Sequence, residues 1–183
     1  TRDMFDRNRV RECPDLVRVV VAIDPSGTGG ADDGGDSIGI VVAGKGADGR
    51  AYVLADYSCK VSPAVWGARA VAAYHRHGAD RIVAERNYGG AMVGHVIRTV
   101  DPTVSYSEVV ASRGKIIRAE PVAALYEQGR VSHLGALSDL EDQACLMTGE
   151  GYMGDGSPDR VDALVWALTE LMLAPAMRRL AIG

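Results

Sequence analysis

The run Val17-Arg18-Val19-Val20-Val21-Ala22-Ile23, closed by Asp24-Pro25, decides how the rest of the chain is read. Apart from Arg18 it is apolar, and most of it is β-branched. A run that continuous, without polar alternation, marks a central strand buried on both faces. Pro25 has no backbone N–H to give to a ladder, so the strand stops there. The carboxylate of Asp24 is thereby placed at the carboxyl end of a strand in the middle of a sheet.

Working outward, residues 26–36 are rich in Gly and Asp and read as a long loop. Residues 37–43 form a second strand, 44–49 carry turn chemistry, and 50–56 form a third strand. Three strands with short turns predict an antiparallel meander. The pattern then changes period. Ser62-Pro63 pairs an N-cap residue with proline at the first helical position, predicting a helix to about 77 that stops at Gly78. Residues 81–85 read as a fourth strand, 89–100 as a helix and 104–110 as a fifth strand. Residues 115–128 read as a helix that Pro121 bends or splits. A short helix is expected over 137–147. Ser157-Pro158 opens a last helix to about 173, with Val161, Leu164, Val165, Leu168, Leu171 and Met172 on one face. A meander followed by αβ units predicts an α/β domain. Its sheet is mixed and five-stranded, with a three-stranded antiparallel meander, two parallel strands and flanking helices. Residues 1–15 are mixed in charge with little apolar periodicity and read as a linker or surface arm. The domain proper is expected over 16–183.

The bulk properties agree with one folded domain. The 183 residues are 47% hydrophobic and 24% charged, enough to bury a sizeable core. The net charge of −4 argues against simple electrostatic binding of nucleic acid, which favours basic chains. It is compatible with a cluster of metal-binding carboxylates. Cys13, Cys59 and Cys145 are widely spaced and form no paired motif, pointing to a reduced, cytoplasmic setting. No apolar run approaches the ~18–20 residues that span a bilayer, so no membrane partner is expected.

Chemistry is suggested by acids at element ends. Asp24 ends the first strand and Glu85 the fourth. Side by side in a sheet such strands lie about 4.8 Å apart, and their terminal carboxylates face the crevice where open α/β sheets bind ligands. Two close carboxylates repel unless a cation joins them, and hard oxygen donors suit Mg²⁺ or Mn²⁺. Alone, Asp24 also reads as a strand-ending Asp-Pro turn and Glu85 as a surface charge. Asp159 and Asp162 are three apart and share a helical face. Asp159 is favoured in a first turn by the helix dipole. Asp162, flanked by apolar residues, needs a partner, which a metal or a basic group would supply.

Over roughly residues 17–173 the chain resembles the C-terminal nuclease domain of tailed-bacteriophage terminase large subunits. The matching pieces are Ala22-Ile23-Asp24-Pro25, Gly35-Asp36-Ser37-Ile38-Gly39-Ile40 and Ala84-Glu85-Arg86-Asn87-Tyr88-Gly89-Gly90. Gly114-Lys115, Arg118-Ala119-Glu120-Pro121, Tyr126-Glu127-Gln128-Gly129-Arg130-Val131 and Ser157-Pro158-Asp159-Arg160-Val161-Asp162-Ala163-Leu164 follow in the same order. The resemblance implies a ribonuclease-H-like fold and an acidic triad at Asp24, Glu85 and Asp162, with Asp159 able to share the third role. It implies two divalent cations, Mg²⁺ or Mn²⁺, about 3.5–4 Å apart, hydrolysing phosphodiesters by in-line displacement. It also implies double-stranded DNA as substrate, an upstream ATPase domain in the same polypeptide, portal protein and small terminase subunit as partners, and host cytoplasm at the procapsid portal as location. Arg113, Lys115 and Arg118, near a helix start beside the fifth strand, are expected to contact the DNA backbone.

Two further readings stay open. Residues 23–30 resemble the first phosphate loop of actin-like kinases, but those enzymes enclose ATP between two copies of the core and this chain supplies one. A non-catalytic docking module of the packaging motor is the other. Gly39 to Lys45 formally fits GxxxxGK, yet its middle is a strand and Gly46 stands where Ser or Thr binds magnesium. No metal role is assigned to His75, His77, His95 or His133. Trp66 and Trp166 are expected in the core.

Overall fold

The computed structural model describes residues 1–25, 36–86, 90–110 and 114–173. In chain order, the elements begin with α1 (Arg2–Arg7), β1 (Arg9–Val10), β2 (Leu16–Pro25), β3 (Asp36–Gly46), β4 (Ala51–Asp56) and β5 (Cys59–Val61). Next come α2 (Pro63–Arg76), β6 (Arg81–Glu85), α3 (Gly90–Val100), β7 (Tyr106–Val109) and α4 (Lys115–Glu127). The chain continues with β8 (Val131–Leu134), α5 (Ser138–Cys145), the β9–β10 ribbon (Met147–Thr148 and Gly151–Tyr152), α6 (Asp159–Leu168) and a π-helical turn, Thr169–Leu173.

The meander is present: β2 pairs antiparallel with β3, and β3 with β4. On the other side of β2 lie β6 and then β7, both parallel. These are the five expected strands in the expected arrangement. The sheet is larger than five, with eight strands among the described residues. It runs β1-β8-β4-β3-β2-β6-β7, with β5 paired to β3. The added β8 was hidden because Val131-Ser132-His133-Leu134 carries two polar residues, both buried here. No apolar run announces it.

Residues 1–15 are not a free linker or arm. Helix α1 drives Phe5 into the core, where it is 4% exposed, and β1 pairs in parallel with β8. One inward residue in a short, charged helix leaves no periodicity to detect. Pro121 neither splits nor ends α4. It lies on the exposed face, where water can satisfy the carbonyl that its missing N–H abandons.

The sheet alternation divides the core in two. Val19, Val21, Ile23, Ile82 and Ala84 point to one side and meet Trp66 and Ala70 of α2 and Val93 and Ile97 of α3. Val20, Ala22, Ala43 and Val83 point to the other, against Trp166 and Ala167 of α6. Helix α6 is buried nearly all round rather than on one stripe, because α4 and α5 cover its outer side.

Candidate functional site

Parallel pairing of β2 with β6 sets Ile23 opposite Ala84. One residue further, Asp24 and Glu85 stand side by side at the carboxyl ends of their strands. By strand alternation both belong to the side of Ala22 and Val83, which is the side covered by α6. Both are buried, at 3% and 9% exposure.

Glycine at one position brings α6 down onto this spot. Gly39 of β3 is the antiparallel partner of Asp24. A Cβ on Gly39 would lie 1.9 Å from the carbonyl oxygen of Asp159 and 3.0 Å from Cβ of Ala163. The first turn of α6 therefore rests on bare backbone next to Asp24, and it carries Asp159 and Asp162, both buried. Arg160 between them fastens the turn outward, to Asp56 of β4 and to Asp139 of α5 at 3.1 Å. Gln143 Oε1 accepts the N–H of Val161 at 3.1 Å.

Two features separate these acids from ordinary helix-start residues. Asp159 makes no capping hydrogen bond, since Pro158 holds the N-cap position, and its Oδ1 is buried without a hydrogen-bond partner. Trp166, four residues beyond Asp162, donates its Nε1–H to Oε2 of Glu85 at 3.2 Å. The indole is in the core as expected, but its polar edge belongs to the acid cluster. The spacing 159, 162 and 166 puts all three residues on one helical face, a signal that was available in the sequence.

Arg118, expected at the DNA backbone, turns inward. Its Nη2 is 3.8 Å from Glu85 Oε2, and its Cζ lies 4.6 Å from the centre of the Trp166 ring. Lys115 opens α4; Arg113, Asn87, Tyr88, Gly89 and the 26–35 loop, with Asp32 and Asp33, lie outside the described residues. Among the described residues no group of three or more His, Cys, Asp or Glu side chains is arranged to hold a metal ion. The fold thus gathers Asp24, Glu85, Asp159 and Asp162 from three elements without closing them into a finished ligand set, and Glu85 is engaged by Arg118 and Trp166 instead.

The histidines lie elsewhere. His75 bonds Asp101 at 2.8 Å, and His77 bonds the Tyr57 hydroxyl at 2.9 Å. His133 sits in a buried network that sequence reading missed. Its Nε2 is 2.7 Å from the Tyr126 hydroxyl and its Nδ1 is 2.9 Å from Glu141 Oε1. Arg9 and Arg2 close the network on Glu141 at 2.7 and 2.9 Å, tying the N-terminal segment to β8 and α5.

The family model of the terminase RNaseH-like domain matches residues 21–171. No curated protein matches the chain. Among solved structures, the human cytomegalovirus terminase nuclease domain aligns with a TM-score of 0.65 at 16% identity, over 97% of this chain and 96% of that one. A mutant nuclease domain of the large terminase subunit of bacterial virus Sf6, with manganese, aligns at 0.67 and 13% identity over 92% and 97%. The HK97 bacteriophage large terminase aligns at 0.69 and 12% identity over 93% of this chain and 43% of that one, so this chain spans less than half of that protein. At such identities the likeness is one of fold, a ribonuclease-H-like α/β core with a mixed sheet.

Proposed function

The chain belongs to the terminase RNaseH-like domain family, and from that premise we propose that it is a divalent-metal-dependent endonuclease that cuts concatemeric viral DNA during genome packaging. The observation that carries this reading is the set of buried carboxylates at one place: Asp24 and Glu85 on adjacent strand ends, with Asp159 and Asp162 brought over them by α6. Burying acids costs heavily unless each finds a partner. The buried, unbonded Oδ1 of Asp159 is such a cost, and a hard cation is the partner its chemistry suits.

Asp24, Glu85 and Asp162 are the ligands we assign, with Asp159 beside them. Two bound Mg²⁺ or Mn²⁺ ions would supply an activated water and stabilise the leaving 3′-oxygen of an in-line displacement. The chain's own part is to hold the carboxylates at fixed strand ends and to keep water off their apolar sides. Arg113 and Lys115, before and at the start of α4, are the proposed phosphate contacts, positioning double-stranded DNA without reading its sequence. We place the domain after an ATPase domain of the same polypeptide, working with portal protein and small terminase subunit at the procapsid in the host cytoplasm.

The test is plasmid cleavage with Mg²⁺, with Mn²⁺ and with excess EDTA. Nicking and linearisation in metal, absent in EDTA, is the expected result; full cleavage in EDTA would overturn the metal mechanism. A docking module without catalysis is favoured by one observation, the engagement of Glu85 with Arg118 and Trp166. No cleavage in either metal, with the fold intact, would leave that reading in place.

A further inference from the structure

We propose that Arg118 is the resident counter-ion of the acid cluster, and that a divalent cation must displace it from Glu85 to bind. The proposal rests on the metal-site reading above. It adds a positioning residue whose work is done before any metal arrives.

The geometry is a three-part clamp. The Arg118 guanidinium lies over the Trp166 ring at 4.6 Å, and its Nη2 is 3.8 Å from Glu85 Oε2. The Trp166 Nε1–H donates to that same oxygen at 3.2 Å. The arginine and glutamate side chains are only 13% and 12% exposed, so this is not a solvated surface pair of negligible strength. A guanidinium suits the position better than an ammonium would. It is planar, weakly hydrated and able to lie on an indole while directing N–H groups sideways. Helix α4 supplies it from its first turn, and its backbone N–H is bonded to Gly114 O at 3.2 Å.

Consider what this does to an incoming cation. Oε2 of Glu85 already accepts an indole N–H and faces a fixed positive charge. A divalent ion drawn to the cluster meets that charge as a repulsion and must take the oxygen from both partners. Arg118 thus sets a positive charge against Glu85 before any metal arrives, at the expense of metal affinity there.

The experiment has a metal-free arm and a metal arm. In EDTA, thermal melting of the wild type, Arg118→Met, Glu85→Gln and the double variant forms a cycle. Arg118→Met should lower the melting temperature in the wild-type background and much less when Glu85 is already Gln. Additive losses would overturn the counter-ion role. In the metal arm, Mn²⁺ binding is measured by calorimetry. Arg118→Met should bind Mn²⁺ about tenfold tighter than wild type or more, the scale on which a close opposite charge biases a carboxylate. Equal or weaker binding would overturn the displacement claim. Should Arg118→Met not fold, Arg118→Lys reads the same competition: it keeps the charge but loses the plane on Trp166, so its affinity should fall between. Mn²⁺ failing to bind any of the proteins, with the EDTA cycle still non-additive, would instead overturn the metal-site reading and leave the counter-ion in place.

Discussion

At the scale of single residues, the acids differ by what each one touches. Asp24 sits at a strand end whose position is set by ladders on both sides, to Gly39 and toward the β6 strand end. Its replacement by Asn keeps the shape and removes the charge. Asp24→Asn should therefore melt within a few degrees of wild type by circular dichroism and show no plasmid cleavage in Mn²⁺; wild-type rates would refute its role. Asp159 is the opposite case. Its Oδ1 is buried and unbonded, so without metal the carboxylate weakens the fold. An unsatisfied buried polar group costs about 1–3 kcal/mol, and 1 kcal/mol moves the melting temperature of a domain this size by roughly 2–4 °C. Asp159→Ala, which removes the unbonded oxygen altogether, should thus melt a few degrees above wild type in EDTA. In saturating Mn²⁺ the order should reverse, because binding to the native state stabilises the protein that keeps the ligand. A variant that melts lower in EDTA would show that Asp159 has a structural partner after all.

At the scale of elements, the site depends on how close α6 comes to the sheet. The carbonyl of Asp159 occupies the space where a Cβ on residue 39 would be, so the residue must be glycine for steric rather than conformational reasons. Gly39→Ala has no flexible side chain to push aside; it meets helix backbone. Overpacking of this kind costs about 1–3 kcal/mol or more. Gly39→Ala should lower the melting temperature by roughly 2–12 °C and abolish cleavage even where the fold survives, since α6 moves as a unit with both of its acids. Normal activity at normal stability would mean that α6 does not sit where this geometry puts it.

At the scale of the whole molecule, a second buried polar centre holds the N-terminal segment to the far edge of the sheet. Tyr126 of α4, His133 of β8 and Glu141 of α5 are linked to Arg2 and Arg9, with the Phe5 ring edge-on to Tyr126 and tilted against His133, at centroid distances of 5.3 and 4.9 Å. Burial pushes the His133 imidazole below its ordinary value. The neutral ring is fully used, receiving the Tyr126 O–H at Nε2 and donating from Nδ1 to Glu141. Burial also pushes the Glu141 carboxyl up, but hydrogen bonds from Arg9 and His133 more than reverse this and bring it to about 2. Both shifts are depressions, so both stabilise the fold at neutral pH and fail in acid. The unfolded chain protonates His133 first as pH falls through 6.5, and Glu141 first below 4.5. His77, also lowered by burial, acts in the same direction. The urea midpoint should be flat above about pH 7.5 and fall steadily from about pH 6.5 downward, with a shallower fall in His133→Gln. A midpoint as high at pH 5 as at pH 7.5 would show that the imidazole is not held neutral.

Much of this was legible in the chain itself. The apolar run before Asp24 and the short run before Glu85 marked two central strands whose ends could lie side by side, because only a strand buried on both faces carries so little polarity. From that came the meander, the parallel neighbours and the two strand-end acids. Periodicity could not reveal β1 and β8, since β8 buries the polar Ser132 and His133 and pairs with a strand more than a hundred residues away. Nor could it orient Arg118. In sequence it is a cation near a helix start, for which solvent or a phosphate is the default partner. Only the approach of α4 and α6 places Glu85 and the face of Trp166 within its reach. Local pattern decides which residues are buried and on which element. Which buried charges meet depends on how the elements cross, and that is settled by packing between segments the sequence keeps apart.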